Sequence, residues 1–201
     1  MEVKDRVFIL KKTRYGESDL ILNCMTSQGA KLNLFARSAL RSKKRFGGGV
    51  LEPTHFIHVL YQDKSGSMSA DQPLHTLKEA SLIQGFPGLR SDYARIELAL
   101  YVVQLVSVVV KAGEVDSGDL FNLLGNTLKA AETSRDLPLL RLHFEAKLLA
   151  QQGVLALESG EESLSRLSIA EHEGLDLAPE VLRALRVRLS QSLREYVGVS
   201  K

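Results

Sequence analysis

Apolar residues in the first 80 positions fall in short runs set apart by polar turns, the signature of strands. Val3–Lys12 is rich in β-branched and aromatic residues, and Leu20–Thr26 follows the polar connection RYGESD. After a turn at Ser27-Gln28-Gly29-Ala30 comes Lys31–Arg37. There Leu32, Leu34 and Ala36 alternate with Lys31, Asn33 and Arg37, and Phe35 breaks the pattern. A fourth run is His55–Tyr61, and a fifth, less sharply drawn, is Leu74–Ala80. Five short strands must protect their edges, and closure into a small barrel does so economically. The strand count is that of an OB-fold, although a five-stranded open sheet would carry the same pattern.

From about Phe86, past Pro87-Gly88, the period becomes helical. Between Ile96 and Val110 only Glu97, Gln104 and Ser107 are polar. Fifteen such residues fall short of the roughly 20 a membrane span needs, so Asp92–Lys111 reads as a buried helix. Further helices are expected over Ser117–Glu132, capped by Ser117, and over Leu137–Gln152, closed by Gly153. A last helix begins at Pro179 and carries a stripe of Leu182, Leu185, Leu189, Leu193 and Tyr196. Residues 158–176 are polar and predict little. The expected architecture is α+β: an amino-terminal five-stranded OB-fold β-barrel over residues 1–80, then an α-helical domain over 81–201.

Composition adds limits. A chain 44% hydrophobic and 25% charged is neither disordered nor a bundle of membrane spans. Its opening holds only a four-residue apolar run, Val7 to Leu10, too short for a secretory leader. The single cysteine, Cys24, sits in a strand-like run and reads as a buried, inert thiol in a reducing cytoplasm. Net charge is uneven: residues 1–79 hold 13 Lys and Arg against 8 Asp and Glu, net +5, whereas 80–201 is net −3. The first part should therefore favour polyanions.

No P-loop, no nucleophile elbow and no cysteine-based zinc site can be written on this chain. His55 and His58, three apart on a strand, point to opposite faces and cannot share a metal. Catalysis has no visible apparatus, and no cofactor is expected. What stands out is the connection from Ser38 to Pro53, with Arg37, Arg41, Lys43, Lys44 and Arg45 within nine residues and then Gly47-Gly48-Gly49. Cations so clustered suit a nucleic-acid backbone. A short helix over Ser38–Arg45 would place Arg41 and Arg45 on one face. Tyr15 and Phe46, in loops beside glycines, are candidates for base stacking, whereas Phe8, Phe35, Phe56 and Tyr61 read as core.

Several ordered segments resemble the bacterial DNA repair protein RecO family. They are Tyr15-Gly16-Glu17-Ser18-Asp19-Leu20, Gly29-Ala30-Lys31, the run from Ala36 through Arg41-Ser42-Lys43-Lys44-Arg45-Phe46-Gly47-Gly48-Gly49 to Pro53, and Leu82 through Leu89. The resemblance implies a non-enzymatic recombination mediator with an OB-fold and a helical domain. Such a protein binds single- and double-stranded DNA and anneals complementary strands without ATP. It works with RecR and helps RecA load onto DNA coated by single-stranded-DNA-binding protein, whose acidic tail it contacts. It would be cytoplasmic and nucleoid-associated. Carried over, DNA binding falls on Arg14, Lys31, Arg37, Arg41, Lys43, Lys44 and Arg45. Many members carry a four-cysteine zinc motif; the corresponding region, Gly153 to Asp176, has no cysteine, so no zinc is expected. An acidic, hydrophobic-ended tail wants cations beside apolar residues, and the final helix offers Arg183, Arg186 and Arg188, although core packing is the more economical use of its leucines. Two other readings stand beside this one: an RNA-binding or ribosome-associated OB-fold module, and a protein adaptor whose basic loop is incidental.

Overall fold

Alternation of inward apolar and outward polar residues is satisfied by a closed sheet. The computed structural model describes residues 1–42, 44–64, 73–110 and 118–199. Its strands are β1 (Glu2–Tyr15), β2 (Asp19–Thr26), β3 (Lys31–Ala36), β4 (Phe56–Gln62) and β5 (Leu74–Gln84), closed in the order β1-β2-β3-β5-β4. The barrel is thus formed and the open sheet is not. β1 is long because it serves two neighbours. Its first half pairs with β4, from Glu2↔Gln62 to Phe8↔Phe56, and its second with β2, ending at Tyr15↔Asp19. A register irregularity between Ile9 and Lys11 bends it where the duty changes. Three parallel pairs, Asn33↔Leu74 to Phe35↔Thr76, shut the ring.

Inside lie Val7, Ile9, Leu22, Cys24, Leu34, Ile57 and Leu77, all fully buried. Truncating one of the leucines to alanine should cost about 3 kcal/mol, since a closed barrel cannot collapse around the void. Cys24 is the inert core thiol expected, its ionisation pushed far up by burial. Outside the barrel the ring of Phe8 is covered by Phe56 and Phe121, each with its centroid 4.8 Å away, and by Phe86 at 6.3 Å. Phe8 is therefore core, though of a second apolar cluster rather than of the barrel.

Helices follow as α1 (Tyr93–Val109), α2 (Asp119–Ala131), α3 (Leu137–Gln151), the short α4 (Glu162–Arg166) and α5 (Pro179–Val199). The proposed capping residue Ser117 lies outside the described residues. α3 starts on a cap not anticipated: Asp136 accepts from the Leu139 N–H at 2.9 Å, with Pro138 in the first turn. It ends as expected at Gly153, whose φ of 69° only glycine adopts without strain. No helix among the described residues is long and apolar enough to cross a membrane.

Two compact units result: Met1–Phe86 with Val103–Phe121, and Pro87–Val102 with Asn122–Lys201. In the second, the leucine stripe of α5 packs as the helical period dictates. Leu185 and Leu189 are buried against Leu142, Ala146 and Leu149 of α3, with Leu182, Leu193 and Tyr196 beside them. The polar stretch 158–176 is ordered by side chains rather than by periodicity. Ser168 and Glu171 form a capping box at a 3₁₀ turn, Ile169–Gly174, and buried Ser134 and His172 are 2.7 Å apart, Oγ to Nε2. The imidazole of His143 donates through Nε2 to the Leu164 carbonyl at 3.1 Å.

Candidate nucleic-acid interface

The β3–β4 connection is held at both ends and plugs the barrel between them. Leaving β3, Ser38 adopts φ 53° and its N–H donates to Asp19 Oδ1 at 2.7 Å, while the Leu40 N–H donates to the Ser18 carbonyl at 3.0 Å. Further on, the Ala80 N–H of β5 donates to the Arg45 carbonyl at 3.3 Å. Ala39, Phe46 and Leu51 insert into the barrel core. The connection is a series of turns, not the helix expected over Ser38–Arg45, because the positive φ at Ser38 and these apolar anchors break helical spacing. Gly47–Gly49 forms a 3₁₀ turn, with Gly48 at φ 72°.

Pinned in this way, the loop turns its cations outward. Arg37, Arg41, Lys44 and Arg45 are all exposed; Lys43 lies outside the described residues. Arg41 and Arg45 do not share a face. Arg41 reaches Glu17 of the β1–β2 turn at 3.3 Å, with both side chains largely in water, so the pair contributes little and leaves the guanidinium available. Arg45 turns the other way: its Nη2 donates to the Arg37 carbonyl at 2.8 Å and its guanidinium lies 4.9 Å from the Phe46 centroid. Phe46 itself is only 6% exposed. The reading of Phe46 as an exposed stacking ring is corrected: one of its faces is taken by Arg45 and the rest by the barrel.

Tyr15, by contrast, is 58% exposed and meets the edge of Phe35 with centroids 5.9 Å apart. Phe35 was read as core, yet it occupies an outward position in register with Lys31 and Asn33, facing Ile21 of β2. The signal was the break in alternation itself. An aromatic at an outward position marks a surface platform. Lys31, half-buried at the start of β3, shares the outward face of Phe35, whereas Arg14, exposed near the end of β1, pairs with inward Leu20 and lies on the face opposite Tyr15.

On the outer face of β4 and β5 a cleft of about 560 Å³ is lined by Lys4, His58, Glu79 and Ser81 from the strands and by Lys44 and Arg45 from the loop. Neither Lys4 nor His58 was a nucleic-acid candidate in the sequence, because each stands alone in the chain and the two meet only through β1–β4 pairing. His55 is buried and donates through Nδ1 to the Val50 carbonyl, so the two histidines do face opposite ways.

The three arginines proposed on the final helix separate. Arg188 holds Glu158 at 2.7 Å and the buried Glu161 at 3.0 Å, so its candidacy for a pocket is corrected to a structural ion pair. Arg183 is exposed. Arg186 does line one, of about 530 Å³, with Leu142, Leu189, Leu193 and Arg194. On its rim Arg141 lies over the Tyr101 ring at 4.0 Å and bonds Glu145 at 2.7 Å, and the Tyr101 hydroxyl donates to the same carboxylate. Burial and that carboxylate together push the phenol pKa up.

Comparison with known proteins fits this geometry. Residues 1–86 match the family model described as Recombination protein O N terminal, and residues 90–157 match Recombination protein O C terminal. A DNA repair protein RecO of Maridesulfovibrio salexigens is 33% identical over 153 residues, covering 76% of this chain and 59% of that protein. One from Alkaliphilus metalliredigens is 31% identical over 155 residues, covering 77% and 59%. One from Anaeromyxobacter dehalogenans is 33% identical over 147 residues, covering 73% and 55%. The chain thus spans less than two thirds of the length of these curated relatives.

Proposed function

The chain belongs to the RecO family, and from that premise we propose that it is a non-enzymatic DNA repair and recombination mediator. In this reading residues 1–80 form the nucleic-acid-binding domain and 81–201 the helical, partner-binding domain. The barrel binds single- and double-stranded DNA and anneals complementary strands without ATP. With RecR, the protein helps RecA load onto DNA coated by single-stranded-DNA-binding protein, in the cytoplasm and at the nucleoid.

The observation that carries the reading is the pinned β3–β4 connection, which turns Arg37, Arg41, Lys44 and Arg45 to solvent from a rigid barrel. Cations held by a closed sheet lose little freedom on meeting phosphates, and their contribution falls as salt rises. Arg14 and Lys31 extend the basic surface, and Tyr15 with Phe35 supplies stacking area. The experiment is an annealing assay on complementary oligonucleotides with no nucleotide added. Replacing Arg41, Lys43, Lys44 and Arg45 by alanine should slow annealing and weaken binding of every sequence. It should also flatten the log–log salt slope by about 3, each phosphate contact contributing about 0.7 on a single strand. An unchanged affinity and slope would refute the loop assignment. A matched RNA strand competing better than DNA would favour the RNA-binding reading.

For the tail of single-stranded-DNA-binding protein we propose the cleft at Arg186, where an apolar floor lies beside Arg186 and Arg194. Arg186→Glu should weaken a tail peptide at least about tenfold, a loss consistent with reversing one contacting charge. Unchanged affinity in a peptide titration would remove the cleft from consideration.

A further inference from the structure

We infer that the barrel holds two nucleic-acid strands at once, on separate tracks, the second being the cleft on β4 and β5. The inference rests on the proposed DNA-binding function and concerns how one small domain could bring two strands together. The first track is the outer face of β1, β2 and β3 around Tyr15 and Phe35, where an edge-to-face aromatic pair offers ring surface to the bases of a single strand. The cleft has a different chemistry. Its lining has no Phe, Tyr or Trp, and Lys4, Lys44 and Arg45 bring three positive charges against the one carboxylate of Glu79. Lysines act as point charges and an arginine as a phosphate fork, so this site reads a sugar–phosphate backbone and not bases.

The barrel keeps the two tracks apart. β2, at the centre of the first, and β4, at the centre of the second, share no pairing, and β1 carries Lys4 of the second near its start and Tyr15 of the first at its end. The same loop nonetheless serves both. Its Leu40 end is tied to the β1–β2 turn, where Arg41 sits, and its Arg45 end is tied to β5 through Ala80. Lys4, Lys44 and His58 form no ion pair among the described residues, Glu79 being the one carboxylate in the cleft's lining. A backbone lying in the cleft would meet the start of β1 at Lys4, and one stacked on Tyr15 its far end, with the loop bridging them.

The test counts strands per chain by native mass spectrometry, using the full chain and oligothymidylates of about 12 nucleotides, a length within the usual site size of such barrels. The wild-type chain should carry two. Lys4→Glu with His58→Glu, both exposed outward positions, should reduce this to one. Affinity for the first strand, read by anisotropy, should stay within about twofold while annealing slows at least about tenfold, because the charges removed contact only the second backbone. Ser81→Glu, which introduces a carboxylate from a different strand, should give the same result and guards against a folding defect in the double variant. A wild-type chain saturating at one strand overturns the inference and leaves the DNA-binding reading intact, as do variants that still carry two. A wild-type chain carrying none defeats the DNA-binding reading itself.

Discussion

His143 is fully buried in the helical unit, donates to the Leu164 carbonyl, and has no partner for Nδ1 among the described residues. Burial, with Lys147 and His172 nearby, holds its pKa down at about 4, against about 6.5 in an unfolded chain. Between those values the unfolded state binds more protons, so stability is complete above pH 6.5 and is lost as pH falls towards 4. The loss attributable to this one group is about 2 kcal/mol after allowing for partial screening. Urea midpoints measured across that range should fall on acidification, and His143→Gln should flatten the fall. A variant with the wild-type pH profile would assign the effect elsewhere. At this same scale Phe46 and Phe35 exchange the roles that chain position suggests. A ring beside three glycines looks exposed, and a ring inside a strand looks buried, yet the first plugs the barrel and the second lies outside it. Local sequence reports whether a residue is in a loop, whereas burial depends on what that loop covers.

Elements with a strong period were legible and those built on side-chain pairing were not. All five strands, and the helices around Leu124, Leu148 and Leu189, follow from alternation or from the i, i+4 spacing of leucines, and α1 from an apolar run too short for a membrane span. Residues 158–176 have no such period, and the capping box at Ser168 and Glu171 was the one local signal present. What holds the stretch is non-local: Arg188, midway along α5, reaches back to Glu158, Glu161 and the Ala156 carbonyl. Because Glu161 is 1% exposed, removing its partner leaves a carboxylate stranded in the interior. Arg188→Met should therefore cost about 3 kcal/mol in urea unfolding. Arg186→Glu, two residues away on the exposed side, should leave stability nearly unchanged. Equal losses for both would mean that the ion pair does not hold this segment.

At the scale of the molecule, the net charge of +2 conceals a basic amino-terminal part and an acidic remainder. That asymmetry was legible from counting alone. It pointed to a polyanion partner without saying where the partner sits, since Lys4 and His58 meet only when β1 pairs with β4, and Lys44 joins them from a loop tied to β5. The closure that gathers them also has a consequence in time. The ring is shut by parallel pairs between Asn33–Phe35 and Leu74–Thr76, two segments some 40 residues apart in the chain. A ribosome adding roughly 5–20 residues per second needs about 2–8 s to make the intervening stretch. Through that interval a nascent β3 has β2 on one side and no strand on the other. Loop-closure entropy also makes such distant pairings the slow ones to form. The newborn barrel is thus at its most association-prone while its most basic segment is being made, before β5 can exist to seal the gap.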